Sequence, residues 1–222
     1  DVAISLSTRP KEAMGSEAVW EQATDGLRRA LEHHSVAYQV NEGGGAFYGP
    51  KIDFEVTDSI GRDWQCGTVQ LDFLMPERFE LEYVGRDGKM SRPVMVHRAV
   101  FGSVERFYGV LVEHYGGAFP LWLAPVQLLV ATISEKQEEG ARSVCAQFLS
   151  AGVRAETDLR SEKINYKIRE AELQKVPYTA VIGARELESG KVALRARGGK
   201  DLGEMDVEPL IQKLKEEVAS KR

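Results

Sequence analysis

Val19, Trp20, Ala23, Leu27 and Leu31 recur at helical spacing through "SEAVWEQATDGLRRALEHH", which predicts an amphipathic helix with those five residues toward a core. Ser16 stands where an N-cap belongs. His33 and His34 fall in the last turn, where cations suit the helix dipole, and adjacent residues point to different faces, which argues against a shared metal. After a glycine cluster the period changes to two: Ile52, Phe54 and Val56 alternate with Asp53 and Glu55. "TDSIGRD" reads as a turn and "WQCGTVQLDF" as a second strand, together an antiparallel hairpin. "ERFELEYVGRDGKMSRPVMVHRAV" predicts another strand, a Gly-Arg-Asp-Gly turn and a further apolar strand. A helix follows from Ser103, with Val104, Phe107, Leu111 and His114 on one face, and stops at the two glycines of "YGG".

The rhythm changes at "AFPLWLAP", whose two prolines mark a boundary near residue 120, giving domains 1–120 and 121–222. Beyond it, "VQLLVATI", "VRAETDLR", "YTAVIGA" and "KVALRAR" read as strands. "EKQEEGARSVCAQFLSAG", "NYKIREAELQKV" and "DVEPLIQKLKEEVAS" read as helices. Strands alternating with helices predict a mixed α/β sheet covered by helices. In the last helix Val207, Leu210, Ile211, Leu214 and Val218 form the core stripe, with Asp206 as its cap. Cys145, near Val144 and Phe148, reads as a small core hydrophobe.

Composition narrows the class. The 222 residues are 43% apolar, ordinary for a globular protein. No apolar run approaches the roughly 20 residues of a membrane span. "DVAISLSTRP" lacks the pattern of a signal peptide, and two cysteines make no disulfide framework, so a cytoplasmic protein with free thiols is expected. The chain begins with Asp rather than Met, as a piece of a longer protein would. Net charge is −5, yet residues 154–200 hold 11 basic and 7 acidic side chains. Such a stretch suits a phosphate-bearing partner or a mixed solvated face.

General catalytic motifs fail. "GGGAFYGPK" lacks the order of a phosphate-binding P-loop, and neither a paired-cysteine zinc spacing nor a G-x-S-x-G elbow occurs. Strict alternation puts Gln65, Gly67, Val69 and Leu71 on one face and Cys66, Thr68, Gln70 and Asp72 on the other. The second set is polar enough to be solvated or to line a site. Tyr48 and Lys51 lie just before the first strand of the hairpin. Arg106 sits in the first helical turn, disfavoured there by about 0.3–1 kcal/mol, so it needs a partner: a bound anion such as a nucleotide phosphate, or a carboxylate elsewhere. His97 is open between a core histidine and a metal ligand.

"AFYGPKIDF", "CGTVQLDF", "MVHRAVFGSVERF" and "FPLWLAPVQ" together closely resemble the bacterial threonyl-tRNA synthetases, a family of class II aminoacyl-tRNA synthetases. The resemblance runs through essentially the whole chain. It implies an α+β rear half of a catalytic domain, with an antiparallel sheet, over residues 1–120. It implies an α/β anticodon-binding domain with a mixed sheet over 121–222. The implied activity is that of a threonine–tRNA ligase, working on threonine, ATP and tRNA(Thr), homodimeric when full-length, with Mg2+ and Zn2+. Arg106 would hold the ATP γ-phosphate. Gln65 and Thr68 would lie toward the adenylate ribose, and Gln70, Tyr48 and Lys51 toward the amino acid. His97 would be one of three zinc ligands, the other two lying upstream of Asp1 along with the first two class II signatures, so that the chain alone is expected to be inactive. A metal that binds the threonine hydroxyl makes sense, because an apolar pocket separates such isosteres only about 10²-fold. Arg169, Glu186 and Arg195 would contact anticodon bases. Ser161 stands where a family relative has Asn, with one donor in place of two. The second reading is a non-catalytic tRNA-binding module derived from such an enzyme; the retained Gln65, Thr68, Gln70, His97 and Arg106 favour the enzyme.

Overall fold

The structure, a computed structural model, describes residues 1–221. It consists of two units, Asp1–His114 and the remainder from Tyr115.

The first unit runs β1 (Val2–Ser7), α1 (Glu17–His33), β2 (Gln39–Asn41), β3 (Lys51–Thr57), β4 (Asp63–Asp72), α2 (Leu74–Arg78), β5 (Tyr83–Val84), β6 (Met90–Ser91), β7 (Met95–Ala99) and α3 (Val104–Tyr115). Five strands form one sheet in the order β2-β1-β3-β4-β7, antiparallel except where β1 meets β2. Leu6 and Ile52 pack with Leu27 and Leu31 of α1, and Ile4, Phe54, Val69 and Leu71 flank them. Period two in the strands and period 3.6 in the helix thus meet in one apolar layer. Ser16 caps α1 by accepting a hydrogen bond from the Val19 N–H.

Several expectations are corrected. β1, unread in "VAISLS", occupies the sheet between β2 and β3. The strand expected over "ERFELEYV" gives way to the single helical turn of α2, whose start is capped by Asp72, and to a separate two-stranded ribbon of β5 and β6. Val19 is exposed, because the buried stripe of α1 is Trp20, Leu27 and Leu31. α3 buries none of its residues, and Val104 is 67% exposed. Its periodic face is covered only in part: Phe107 stacks on Phe101 with ring centroids 4.4 Å apart, and Leu111 is half-buried.

The second unit runs β8 (Leu128–Thr132), a 3-10 turn (Glu135–Gln137), α4 (Glu138–Ser150), β9 (Ala155–Asp158), α5 (Ile164–Leu173), β10 (Tyr178–Ile182), α6 (Ala184–Ser189), β11 (Lys191–Ala196), β12 (Lys200–Asp206) and α7 (Val207–Ala219). The sheet order is β12-β11-β10-β8-β9. β8, β9 and β10 are parallel, and β11 and β12 antiparallel. Leu128, Val130, Ala180, Ile182, Val192 and Leu194 pack against Ala141, Cys145 and Phe148 of α4 and Leu210, Ile211 and Leu214 of α7. Cys145 is a core residue, and burial pushes its thiol up. α6 and β12 were not expected; β12 carries Gly203 at φ 77 and alternates few apolar residues. Asp206 occupies the N-cap of α7 but makes no side-chain capping bond.

Candidate functional site

The other face of the first sheet is polar, and its geometry departs from strict alternation. In the β3–β4 pairing Phe54 faces Gly67, yet Glu55 faces Gln65. Cys66 is therefore the extra residue of a β-bulge, which shifts the parity of everything before it. Gln65, expected opposite Thr68, turns to the same face as Thr68, and both reach Asp53. Asp53 is 3% exposed. Its Oδ1 accepts from Gln65 Nε2 at 2.5 Å and from Thr68 Oγ1 at 3.1 Å. Its Oδ2 accepts from Ser7 Oγ at 3.0 Å and from Lys51 Nζ at 2.8 Å. The sequence reading missed Asp53. Its alternation with Ile52 and Phe54 marked it only as outward-facing, although Lys51 two residues away on the same face was a usable signal.

Next along β4, Gln70 accepts from the Tyr48 hydroxyl at 3.0 Å. Asp72, 2% exposed, accepts from the Leu74 and Met75 N–H groups at 2.9 Å each and lies 2.9 Å from His97 Nε2. Burial pushes the Asp72 carboxyl up, but the hydrogen bonds from Met75, His97 and Leu74 outweigh it and hold the group below the usual range. Tyr48, Asp72 and His97, with Phe47, Leu74, Met75 and Arg78, line a cavity of about 260 Å3. His97 is thus a half-exposed ring held by a buried carboxylate rather than a core histidine. Among the described residues no three His, Cys, Asp or Glu side chains come together to hold a metal ion. The described residues do not make a zinc site by themselves.

Arg106 lies in the first turn of α3, where its N–H bonds Ser103 Oγ at 3.3 Å. Its guanidinium donates to the Gln65 carbonyl at 2.9 Å and has no ion-pair partner among the described residues. Gly102, at φ 64, lets the chain pass the bulge into α3; a Cβ there would lie 2.6 Å from the Cys66 carbonyl oxygen. Arg106 also borders a cavity of about 400 Å3 with Arg62, Trp64, Glu105 and Glu113. Arg62 is itself bound to Asp58 and Glu113, so Arg106 is the guanidinium there with donors to spare. Of the predicted residues, the structure brings Lys51, Gln65, Thr68 and Arg106 into one hydrogen-bonded network, with Gln70, Tyr48 and His97 beside it.

In the second unit a cavity of about 420 Å3 opens beyond the carboxyl ends of β8 and β9, lined by Ile133, Ser134, Glu135, Lys136, Arg160, Ser161, Glu162 and Lys163. Ligands of parallel sheets bind at that edge. Ser161 donates to Glu135 Oε1 at 2.8 Å. Arg160 holds Asp158 through Nε at 3.0 Å and a terminal nitrogen at 2.7 Å. That bond, against burial, holds the Asp158 carboxyl below the usual range. Of the other expected residues, Arg169 is exposed on α5. The Glu186 carboxylate accepts from the Gly183 N–H at 2.8 Å, and Gly183 also packs against Ile133. Arg195 pairs with Asp201 at 3.2 Å on the β11–β12 ribbon. These three do not join Ser161 in a shared contact. Lys167, missed in the sequence, is 1% exposed. Its Nζ donates to Thr132 O at 2.9 Å, Thr132 Oγ1 at 3.1 Å and Asp158 O at 3.1 Å, tying together the strand ends that carry the cavity.

Residues 8–115 match the tRNA synthetase class II core domain (G, H, P, S and T), and residues 127–217 match the anticodon binding domain. The threonine–tRNA ligase of Desulforamulus reducens is 57% identical over 218 residues, 98% of this chain and 34% of that protein. The chain spans about a third of the length of the curated relatives it matches. The RNA binding domain of threonyl-tRNA synthetase from Cryptosporidium parvum superposes with a TM-score of 0.89 at 42% identity, covering 97% of this chain and 55% of that one. A putative threonyl-tRNA synthetase from Aeropyrum pernix gives 0.74 at 31% identity, covering 99% and 55%. The chain belongs to the threonine–tRNA ligase family, as the C-terminal portion of such a protein: part of the class II core followed by the anticodon-binding domain.

Proposed function

We propose that these 222 residues are the part of a threonine–tRNA ligase that grips ATP and threonine on one sheet face and reads the anticodon of tRNA(Thr) with its second unit. One observation carries the reading: Lys51, Gln65, Thr68, Gln70 and His97 converge on the polar face of a sheet whose other face is packed against α1, and the Arg106 guanidinium is tied to that sheet through the Gln65 carbonyl. In the proposed chemistry the threonine carboxylate attacks the α-phosphorus of ATP and pyrophosphate leaves. A ribose hydroxyl of the tRNA then attacks the adenylate carbonyl and AMP leaves. Arg106 offers its unused N–H groups to the γ-phosphate, assisted by the positive end of α3. Gln65 and Thr68 face the ribose. Gln70, Tyr48 and Lys51 face the amino acid. Such donors lower the barrier because they are fixed before charge develops. Mg2+, when bound, would neutralise phosphate charge. His97 would offer one donor to Zn2+, whose remaining ligands must come from outside these residues. Homodimerisation and a cytoplasmic location belong to the same proposal. No helix among the described residues is long and apolar enough to cross a membrane.

Threonine-dependent ATP–pyrophosphate exchange by the full-length protein tests the catalytic half. Arg106→Ala is expected to lower the rate by about 10²-fold or more, the scale of losing one preorganised charge-stabilising donor. Equal rates would remove the role given to Arg106. For the second unit, Arg195→Ala should weaken discrimination among anticodon stem-loops in a filter-binding titration, since splayed bases are read by their edges. An unchanged preference would remove Arg195, with Ser161, Arg169 and Glu186 the next to examine.

A further inference from the structure

We propose that Asp53 is the positioning residue of the nucleotide half of this face, acting on substrate through Gln65 and Thr68 rather than by contact. The inference rests on the reading of that face given above. Asp53 accepts from four side chains on three strands: Ser7 on β1, Lys51 on its own β3, and Gln65 and Thr68 on β4. Both carboxylate oxygens are in use, and the residue is 3% exposed, too enclosed to serve as a ligand group itself. What it fixes is the orientation of others. Gln65 is held at two points, its side-chain amide by Asp53 and its backbone carbonyl by Arg106. The bulge at Cys66 exists on the same account, since without it Gln65 would face α1 and could not meet the carboxylate. With one amide N–H bound to Asp53, Gln65 retains its carbonyl oxygen and a second N–H, one acceptor and one donor in fixed directions, which suits a vicinal diol. The Lys51 ammonium is neutralised in place and its position set, so the face presents directed hydrogen bonds rather than a loose cation. Locked neighbours of this kind keep a site within the tolerance that catalysis needs.

A purely structural Asp53 would affect all nucleotides alike, whereas a positioning one affects ribose recognition. The test is ATP–pyrophosphate exchange by the full-length enzyme with ATP, 2′-deoxy-ATP and 3′-deoxy-ATP, for wild type, Gln65→Ala and Asp53→Asn. Wild type is expected to prefer ATP over at least one deoxy analogue by tenfold or more in kcat/KM. Asp53→Asn keeps the shape but turns one acceptor into a donor, and is expected to shrink that preference at least threefold. If Gln65→Ala erases the preference while Asp53→Asn leaves it intact, the positioning role is overturned and the reading of the face stands. If wild type shows no preference, the reading of the face as a ribose site falls, and the positioning role with it. Should Asp53→Asn fail to fold, Ser7→Ala loosens the carboxylate from its buried side. The same shrinkage is expected there, and an undiminished preference overturns the proposal.

Discussion

Lys167 offers the sharpest test of the physical reasoning in the second unit, because two large effects oppose each other there. Its Nζ is buried and donates to two backbone carbonyls and one hydroxyl at the ends of β8 and β9. Lys167→Met keeps the apolar stem and deletes the donors. Removal of a buried ammonium relieves a desolvation penalty of several kcal/mol per ion. Against that, hydrogen bonds from a charged donor contribute about 1.5–3 kcal/mol each, and a buried acceptor left unpaired costs about 1–3 kcal/mol. All three donors of Lys167 are matched, so its own desolvation is already offset in the wild type, and the variant takes the charged donor from Thr132 O and leaves Asp158 O with only the long bond from the Thr132 hydroxyl at 3.5 Å. The deficit left behind is neutral rather than charged, so the loss should fall below the 3–5 kcal/mol of a broken buried ion pair, at about 2–4 kcal/mol. Urea unfolding of the 222-residue chain, followed by far-UV circular dichroism and by tryptophan fluorescence, reads this directly. With a slope of about 1–3 kcal/mol per molar, the transition of the second unit should move down by about 0.7–4 M with an unchanged slope. A midpoint equal to or above that of the wild type would refute the reasoning, since burying the ammonium would then cost as much as its bonds return.

Two further outcomes follow from the geometry. At Gly49 an added Cβ would fall inside the carbonyl of Leu71, and backbone cannot step aside, so Gly49→Ala should destabilise the first unit by more than about 2 kcal/mol, a downward shift of its melting transition by calorimetry; an unchanged transition would show that the loop re-forms elsewhere. The Asp158 carboxyl titrates below its ordinary value of 3.8, chiefly through its bond from Arg160, so it contributes stability that is present above pH 3.8 and lost as pH falls through its lower folded value. Arg160→Met should therefore be less stable than wild type at pH 7, with the gap narrowing at pH 3 and below; a gap in urea midpoint that is constant across that range would remove the linkage.

The periods along the chain determined much of this protein. Leu27 and Leu31, Ile52 and Phe54, and Leu210, Ile211 and Leu214 announced which faces bury, because burial of a helix stripe or a strand face needs only the right residue at the right spacing. The blocks around Tyr48, Gln65, Arg106 and Phe119 likewise marked the family. β1 stayed hidden because a short apolar run takes its meaning from the strands beside it, and α3 misled because its periodic face is covered only in part, with no residue fully buried. Only the tertiary structure could reveal the bulge at Cys66, since one extra residue shows in the register of the partner strand and not in the strand itself. The same holds for Asp53 and Lys167. Each is an ordinary polar residue in the sequence, and each becomes a hub only when strands and helices far apart in the chain bring donors and acceptors to it, in a buried setting where an unmet hydrogen bond is costly.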